Sequence, residues 1–284
     1  MASKSSDLPD GHVLIPVEDP DDPRIAAFRD IRERDLTGRQ GRFIAEGTVV
    51  LRMLAAAHKG QGAFAAESIL ILKNRLSGVA DILAEFPVDV PVYVAEAPVL
   101  DAIAGFHLHR GILALGRRVG DASSDDLVSR LPVSSLVLVG CGISNHDNMG
   151  AMFRNAAGFH ADAVLLDGTS CDPLYRKALR VSVGSVLAVP YHRGGDAVDM
   201  LERLAAVGFA IWSLSPNGET EIRQIPRSER MALVIGTEGD GLPQSVLSRF
   251  HTARIAQSAQ LDSLNAGTAS GLALYQMAGA IGRI

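Results

Sequence analysis

Three stretches in the second half of the chain carry side chains that could do chemistry. The first, GISNHDNMGAMFRNAAGF (142–159), holds Asn145 and Asn148, then Gly150, then Arg154 one helical turn further on. Residues four apart share a helix face, so Arg154 points the same way as whatever approaches Gly150. The second, GTEGDGLP (236–243), sets three glycines around Glu238 and Asp240, a turn whose backbone groups are open to a ligand. The third, LDSLNAGTASG (261–271), leads through Ser263 and Asn265 into a run of small residues. Taken singly, these are a charged helix face, a Gly-rich turn and an N-capped packing helix. Together they supply amide donors and acceptors, a carboxylate, and a guanidinium that stays protonated in any ordinary setting. That set suits positioning a ligand and stabilising negative charge better than proton transfer by a His, a Cys or paired carboxylates.

Other chemistries are disfavoured by spacing. In GCGISNHDNMG, Gly140 and Gly142 fit the first two positions of a dinucleotide fingerprint, but Asn145 stands where its third glycine belongs. His146 and Asp147 lack further ligands, and His107 and His109 in FHLHRG read as a local turn, so no metal site is expected. Ser185 in VGSVL lacks the glycine spacing of a nucleophile elbow.

Ligands of open α/β sheets gather at the carboxyl ends of the strands. The first two stretches follow such strands directly. LVLVG (136–140), AVLLDG (163–168), VLAVPYH, FAIWSLS, ALVIG (232–236) and TARIA read as strands. MGAMFRNAAGF, YRKALRVSVG, a segment near 196–207 and LNAGTASGLALYQMAGAIG read as helices. Short runs of Val, Leu and Ile indicate a parallel sheet buried on both faces. Upstream, FIAEGTVVLRMLAAAHKG, SILILKN, DILAEF, VPVYVAE, APVLDAIAG and RGILALGRR alternate strand and helix as a smaller α/β domain. The expected organisation is a polar tail or edge segment over 1–22, a small domain over 23–117, a linker over 118–130 and a second domain over 131–284.

Bulk properties narrow the field. A length of 284 residues suits two modest domains. A formal net charge of -5 argues against coating nucleic acid non-specifically, while leaving room for a local basic patch. Aromatics at 5%, with one Trp, argue against a surface that stacks many bases. Two cysteines without CxxC spacing exclude a disulfide framework. The opening MASKSSDLPDGHV lacks the apolar centre of a signal peptide, and no stretch reaches the ~20 apolar residues of a membrane helix. A cytoplasmic protein, with no membrane partner, is expected.

The run N-x-G-x-x-x-R-N-A-A-x-F (Asn148 to Phe159), the run G-x-E-G-x-G-L (Gly236 to Leu242) and the run S-L-N (Ser263 to Asn265) resemble, in order, the three motifs of the SpoU/TrmH family, of the SPOUT superfamily. DPLYRKALRVSVGSVLAVP, between the first two, is similar to that family as well. FIAEGTVVL and FHLHRGILAL resemble its RNA-binding extension, so nearly all of the chain beyond residue 22 is covered. The resemblance implies a trefoil-knotted parallel-sheet α/β catalytic domain, preceded by a small α/β module akin to certain ribosomal proteins. It implies S-adenosylmethionine as cofactor, a homodimer with the site near the subunit interface, and methylation of a ribose 2′-OH in RNA. Carried over by motif, Asn148 and Arg154 sit beside the target ribose and Glu238 organises the second loop. Gly236, Ile255 and Leu264, with Leu214 and Ser215, hold the adenosyl part of the cofactor, and Ser263 and Asn265 complete the pocket.

A ribose hydroxyl is a weak nucleophile and a methyl sulfonium a good electrophile, so the enzyme must align the two and help remove the proton. Arg154 could hold the adjacent phosphate, stabilise alkoxide charge, or act as base; positioning and electrostatic stabilisation suit a guanidinium better. In DPRIAAFRDIRERDLTGRQGRF the arginines alternate with acids, as on a solvated helix face. The functional alternative makes Arg39 and Arg42, in a Gly-containing loop, contacts to the RNA backbone, with Arg110 a third candidate.

The chain departs from the family pattern in places. Ile255-Ala256-Gln257 stands where Ile-Pro-Met is common, Asp262 where Glu is usual, and Leu261 and Gly267 where valines are more usual. Much of the cofactor recognition is by backbone, so these changes bear on affinity rather than on binding itself. The N-terminal extension favours ribosomal over transfer RNA as substrate. Two other readings are an RNA-binding protein that keeps the fold without methylating, and a methylase that shields ribosomal RNA from an antibiotic.

Overall fold

The computed structural model describes residues 12–29, 41–60, 62–104, 111–120, 122–258, 260 and 262–284. Arg39, His107, His109, Arg110 and Leu261 lie outside them. The chain divides into two compact units, one of Met1–Asp121 with Leu174–Leu187, the other of Ala122–Pro173 with Ala188–Ile284.

In the first unit the apolar alternation builds β1 (Leu14–Val17), β2 (Arg42–Glu46), α1 (Thr48–Lys59), β3 (Phe64–Leu72), α2 (Ala80–Leu83), β4 (Val92–Ala95), α3 (Ala97–Ala104) and β5 (Ile112–Arg118). The sheet order is β1-β4-β3-β5-β2. β1, β4 and β3 run parallel, and β5 pairs antiparallel with both β3 and β2. The polar stretch 1–22 therefore contributes a strand: β1 completes a ladder on β4, and Val17 is buried beneath it. Arg42 opens β2 rather than sitting in a loop, and its Nε pairs with Glu67 at 2.7 Å.

The second unit begins with α4 (Ser124–Ser129), inside the expected linker. The Ser123 hydroxyl and the Asp126 carboxylate cap it reciprocally, which is why this acidic Ser-rich segment is helical. Then come β6 (Ser135–Gly140), α5 (His146–Gly158) and β7 (Ala163–Leu166). The next helix, α6 (Arg176–Val181), belongs with the first unit, so the span 131–284 is not one body. There the buried Glu46 of β2 faces Arg176 and Arg180 at 3.9 and 3.6 Å. A Cβ on Gly184 would meet the Met53 side chain at 2.7 Å. Such tertiary contacts leave no periodic trace in a sequence.

The rest of the second unit is β8 (Tyr191–Arg193), α7 (Ala197–Ala206), β9 (Ala210–Leu214), β10 (Thr220–Glu221), β11 (Arg230–Ile235), α8 (Gln244–Leu247), β12 (His251–Arg254) and α9 (Ala266–Ala280). Of the expected strand VLAVPYH only Tyr191 and His192 pair, with Arg193 beyond them, because Ser185–Leu187 turn as 3-10 helix. All seven strands are parallel, in the order β10-β12-β9-β11-β6-β7-β8. One face of the sheet buries Val137, Val139, Leu165 and Val234 under Leu201 and Leu204 of α7. Elsewhere α9 packs closely on α5 through glycines: a Cβ on Gly267 would lie 2.7 Å from that of Ala151. Asn155 of α5 donates from Nδ2 to the Gly267 carbonyl at 2.7 Å and to Ser270 Oγ at 3.0 Å. No helix among the described residues is long and apolar enough to cross a membrane.

Candidate functional site

β9, β11 and β6 are adjacent, so the loops leaving their carboxyl ends are neighbours, the usual location of a ligand in such a sheet. After β6 the chain turns through Gly142, at φ +67, to Asn145, whose side chain caps α5 by accepting from the Asp147 amide at 2.8 Å. Asn148, in the first turn of α5, is 4% exposed. After β11 a tight loop is closed by a bridge between Thr237 and Gly241. The loop lies so close to its own start that a Cβ on Gly236 would be 2.5 Å from the Gly241 carbonyl carbon. At the third motif Asn265 caps α9, its Oδ1 accepting from the Thr268 amide at 3.2 Å.

Three side chains tie these segments together. Asn148 Nδ2 donates to Glu238 Oε1 at 2.6 Å, and Asn265 Nδ2 donates to the same oxygen at 2.8 Å. Asn265 Nδ2 also reaches Asn148 Oδ1 at 2.7 Å. Amide donors on a carboxylate form the stronger, charge-assisted class of hydrogen bond. The buried Asn148 is thus satisfied on both of its polar atoms, and one carboxylate gathers segments separated by as many as 117 residues.

Beside this cluster opens a pocket of about 350 Å³. Leu214, Ser215, Gly236, Ile255 and Leu264, the residues assigned to the cofactor from the motifs, all line it, as do Glu238 and Ser263. So do Asn217, Asp240 and Gln257, which were not assigned to it. The Pro-Asn-Gly turn at 216–218 is a sequence signal that could have found Asn217. That turn needs its glycine, because a Cβ on Gly218 would lie 2.3 Å from the Ala253 carbonyl. Arg154 lies elsewhere on α5: it is exposed and makes no hydrogen bond or ion pair among the described residues.

The two thiols are poor nucleophiles here. Burial, helped by the charges of Asp167 and Asp196, pushes Cys141 up to about 12. Burial likewise pushes Cys171 up to about 11, with Arg193 opposing it.

An all-parallel sheet with three strand-end loops tied into one polar cluster, beside a pocket of ligand size, is the architecture of an α/β ligand-binding or group-transfer domain. Residues 135–275 match the model of the SpoU rRNA methylase family. A Mycobacterium bovis protein described as an uncharacterized tRNA/rRNA methyltransferase is 40% identical over 280 residues, covering 94% of this chain and 93% of its own. The structure of AdoMet-bound rRNA methyltransferase from Sinorhizobium meliloti is similar in fold, with a TM-score of 0.78 at 20% identity, over 93% of this chain and 97% of that one. That of an RNA 2′-O ribose methyltransferase gives a TM-score of 0.76 at 22% identity, over 95% and 100%. The chain belongs to the SpoU rRNA methylase family, and is by that membership an RNA methyltransferase.

Proposed function

We propose that the chain transfers a methyl group from S-adenosylmethionine to a ribose 2′-OH of RNA, ribosomal rather than transfer RNA. The observation that carries this reading is the convergence of Asn148, Glu238 and Asn265 on the edge of a pocket whose wall includes every residue assigned to the cofactor. The pocket suits that cofactor chemically. Its volume falls in the ~300–1,000 Å³ range of small-molecule sites. Leu214, Ile255 and Leu264 offer an apolar wall for a flat base, and Glu238 and Asp240 add negative charge that suits a cationic ligand. Ile255 and Gln257 of the altered Ile-Ala-Gln segment remain on the wall, which favours retained binding over a non-catalytic role. When bound, S-adenosylmethionine supplies a methyl group on a sulfonium, the electrophile of the reaction.

The chain's own residues align the ribose and stabilise the developing charge, and the hydroxyl proton is released to water as the O–C bond forms and the S–C bond breaks. The Asn148–Glu238–Asn265 hydrogen bonds hold three loops in one arrangement, which lowers the entropy cost of aligning the ribose. Arg154, exposed and without a protein partner among the described residues, is available to an RNA phosphate and to the alkoxide charge that develops as the hydroxyl reacts. The N-terminal unit binds the RNA in this reading, with Arg39, Arg110 and the Glu67-paired Arg42 as backbone contacts. The family's trefoil knot, homodimer and cytoplasmic setting belong to the same reading. Support for the dimer comes from α9, where Leu272 and Tyr275 are 46% and 59% exposed, the Tyr275 ring lying against Phe159.

The test incubates purified protein with tritiated S-adenosylmethionine and unmodified RNA split into ribosomal and transfer pools. Label recovered as 2′-O-methylnucleoside from the ribosomal pool supports the whole reading. Label in the transfer pool alone overturns the substrate assignment. No label together with no calorimetric binding of the cofactor overturns the activity.

A further inference from the structure

Behind the first loop lies a buried polar network that the motifs do not include. Asp167, one residue past β7 and 7% exposed, accepts four hydrogen bonds. Its Oδ1 takes the Gly142 amide at 3.0 Å, the Ser170 amide at 2.9 Å and the Ser170 hydroxyl at 2.7 Å. Its Oδ2 takes the Thr169 hydroxyl at 2.7 Å. Ser170, 1% exposed, passes the network on, its Oγ accepting the Ile143 amide at 3.0 Å. Both amides of the Gly142–Ile143 turn therefore end on this pair, and the Cys171 amide donates back to the Ile143 carbonyl at 2.7 Å.

The position of that turn matters twice. It leads within three residues into Asn145 and α5, and so sets the helix that carries Asn148 and Arg154. It also abuts the second motif: a Cβ on Gly142 would sit 3.8 Å from the Cβ of Thr237, the neighbour of Glu238. A carboxylate held by two backbone amides and two hydroxyls is fixed in place, since it has no other partner to move toward at comparable cost.

We propose that Asp167, acting through Ser170 and the Gly142–Ile143 turn, is the positioning residue that sets α5 and the Thr237–Glu238 segment relative to each other for methyl transfer. The inference rests on the methyltransferase reading for its effect on rate, but not for its structural part. Neither Asp167 nor Ser170 lines the pocket. Losing the network is therefore expected to lower turnover while leaving cofactor affinity in place, a split that general destabilisation would not produce.

The experiment compares Asp167→Asn and Ser170→Ala with the wild-type chain. An amide at 167 loses one acceptor oxygen and turns donors toward donors; Ala at 170 releases the Ile143 amide and removes the hydroxyl bond to Asp167, while the Ser170 backbone amide stays on that carboxylate. Backbone hydrogen exchange at Gly142 and Ile143 is read by NMR, with cofactor Kd, RNA KM, kcat and Tm. The expected result is exchange at least about 10-fold faster at Ile143 in both variants. kcat should fall by about 10- to 100-fold, the cost of roughly 1 Å of misplacement, with cofactor Kd held within about 3-fold. Wild-type exchange and wild-type kcat in a folded Ser170→Ala variant would overturn the proposal, as would parallel losses of kcat, Kd and Tm. If Asp167→Asn does not fold, Ser170→Ala decides alone. Should the wild-type chain methylate no RNA, the reaction reading fails by itself, and exchange at Ile143 still supports or overturns the positioning of the turn.

Discussion

Replacing Gly236 with Ala isolates the geometry of the second loop, because the residue lies outside the left-handed region and accepts a Cβ without backbone strain. The obstacle is space. The added carbon would lie 2.5 Å from the Gly241 carbonyl carbon, 2.6 Å from its oxygen and 2.6 Å from the Leu242 nitrogen, all backbone atoms. Ordinary contact begins at 3.4 Å, so the far side of the loop must retreat by 0.9 Å. That displacement moves the segment carrying Glu238, whose carboxylate joins Asn148 and Asn265 through bonds of 2.6 and 2.8 Å. Neither bond survives an extra 0.9 Å within the normal hydrogen-bond range of about 2.7–3.2 Å. Misplacement of about 1 Å costs on the order of 10²-fold in rate, so single-turnover methyl transfer should fall by about that factor. Overpacking costs about 1–3 kcal/mol, which at about 2–4 °C per kcal/mol lowers Tm by roughly 2–12 °C. The assay pairs calorimetry of cofactor binding with single-turnover transfer at saturating cofactor. A variant that binds cofactor and transfers methyl within about 3-fold of wild type would refute the reasoning that loop closure sets the site.

Other expectations follow from neighbouring contacts. Gly267→Val would drive a Cβ against Ala151 Cβ at 2.7 Å and Asn265 Oδ1 at 3.1 Å, so it should cost about 1–3 kcal/mol in denaturant melts and loosen the Asn265 cap; an unchanged midpoint would contradict the close α5–α9 packing. Arg154→Ala should abolish methyl transfer while moving Tm by no more than about 1–2 °C, because surface changes are worth about 0.5 kcal/mol or less; full activity would remove Arg154 from the mechanism. Cys141 and Cys171 should resist alkylation at pH 8, since burial raises both thiols, to about 12 and about 11. For Cys141 the raised value means a stabilising contribution that is complete below about pH 9 and is lost as pH rises toward about 12. Comparing alkaline melts of the wild type with those of Cys141→Ala checks the sign.

Much of the local structure around the candidate site was legible in the residues themselves. Glycine spacing in the 236–242 loop, the capping asparagines and the apolar strand runs are local features, and local chemistry writes itself into adjacent positions. The resemblance to the SpoU/TrmH motifs groups Gly236, Ile255 and Leu264, and the three line one pocket. The alternation of strands and helices likewise announced an α/β chain with a parallel sheet. What the residues did not disclose is what meets across distance. The bonds from Asn148 and Asn265 to one oxygen of Glu238, and the Asp167–Ser170 brace under Gly142, join positions 25 to 90 apart, and no periodicity reports such pairs. Gly267 stands where valine is more usual, and α9's approach to Ala151 explains why no larger residue fits. Residues 174–187 read as part of the second domain by continuity, yet they pack with the first unit, where Glu46 faces Arg176 and Arg180. Short-range preferences determine which residues form strands, caps and turns. Only the order in which the strands pair decides which strand ends become neighbours, and therefore which side chains can act together.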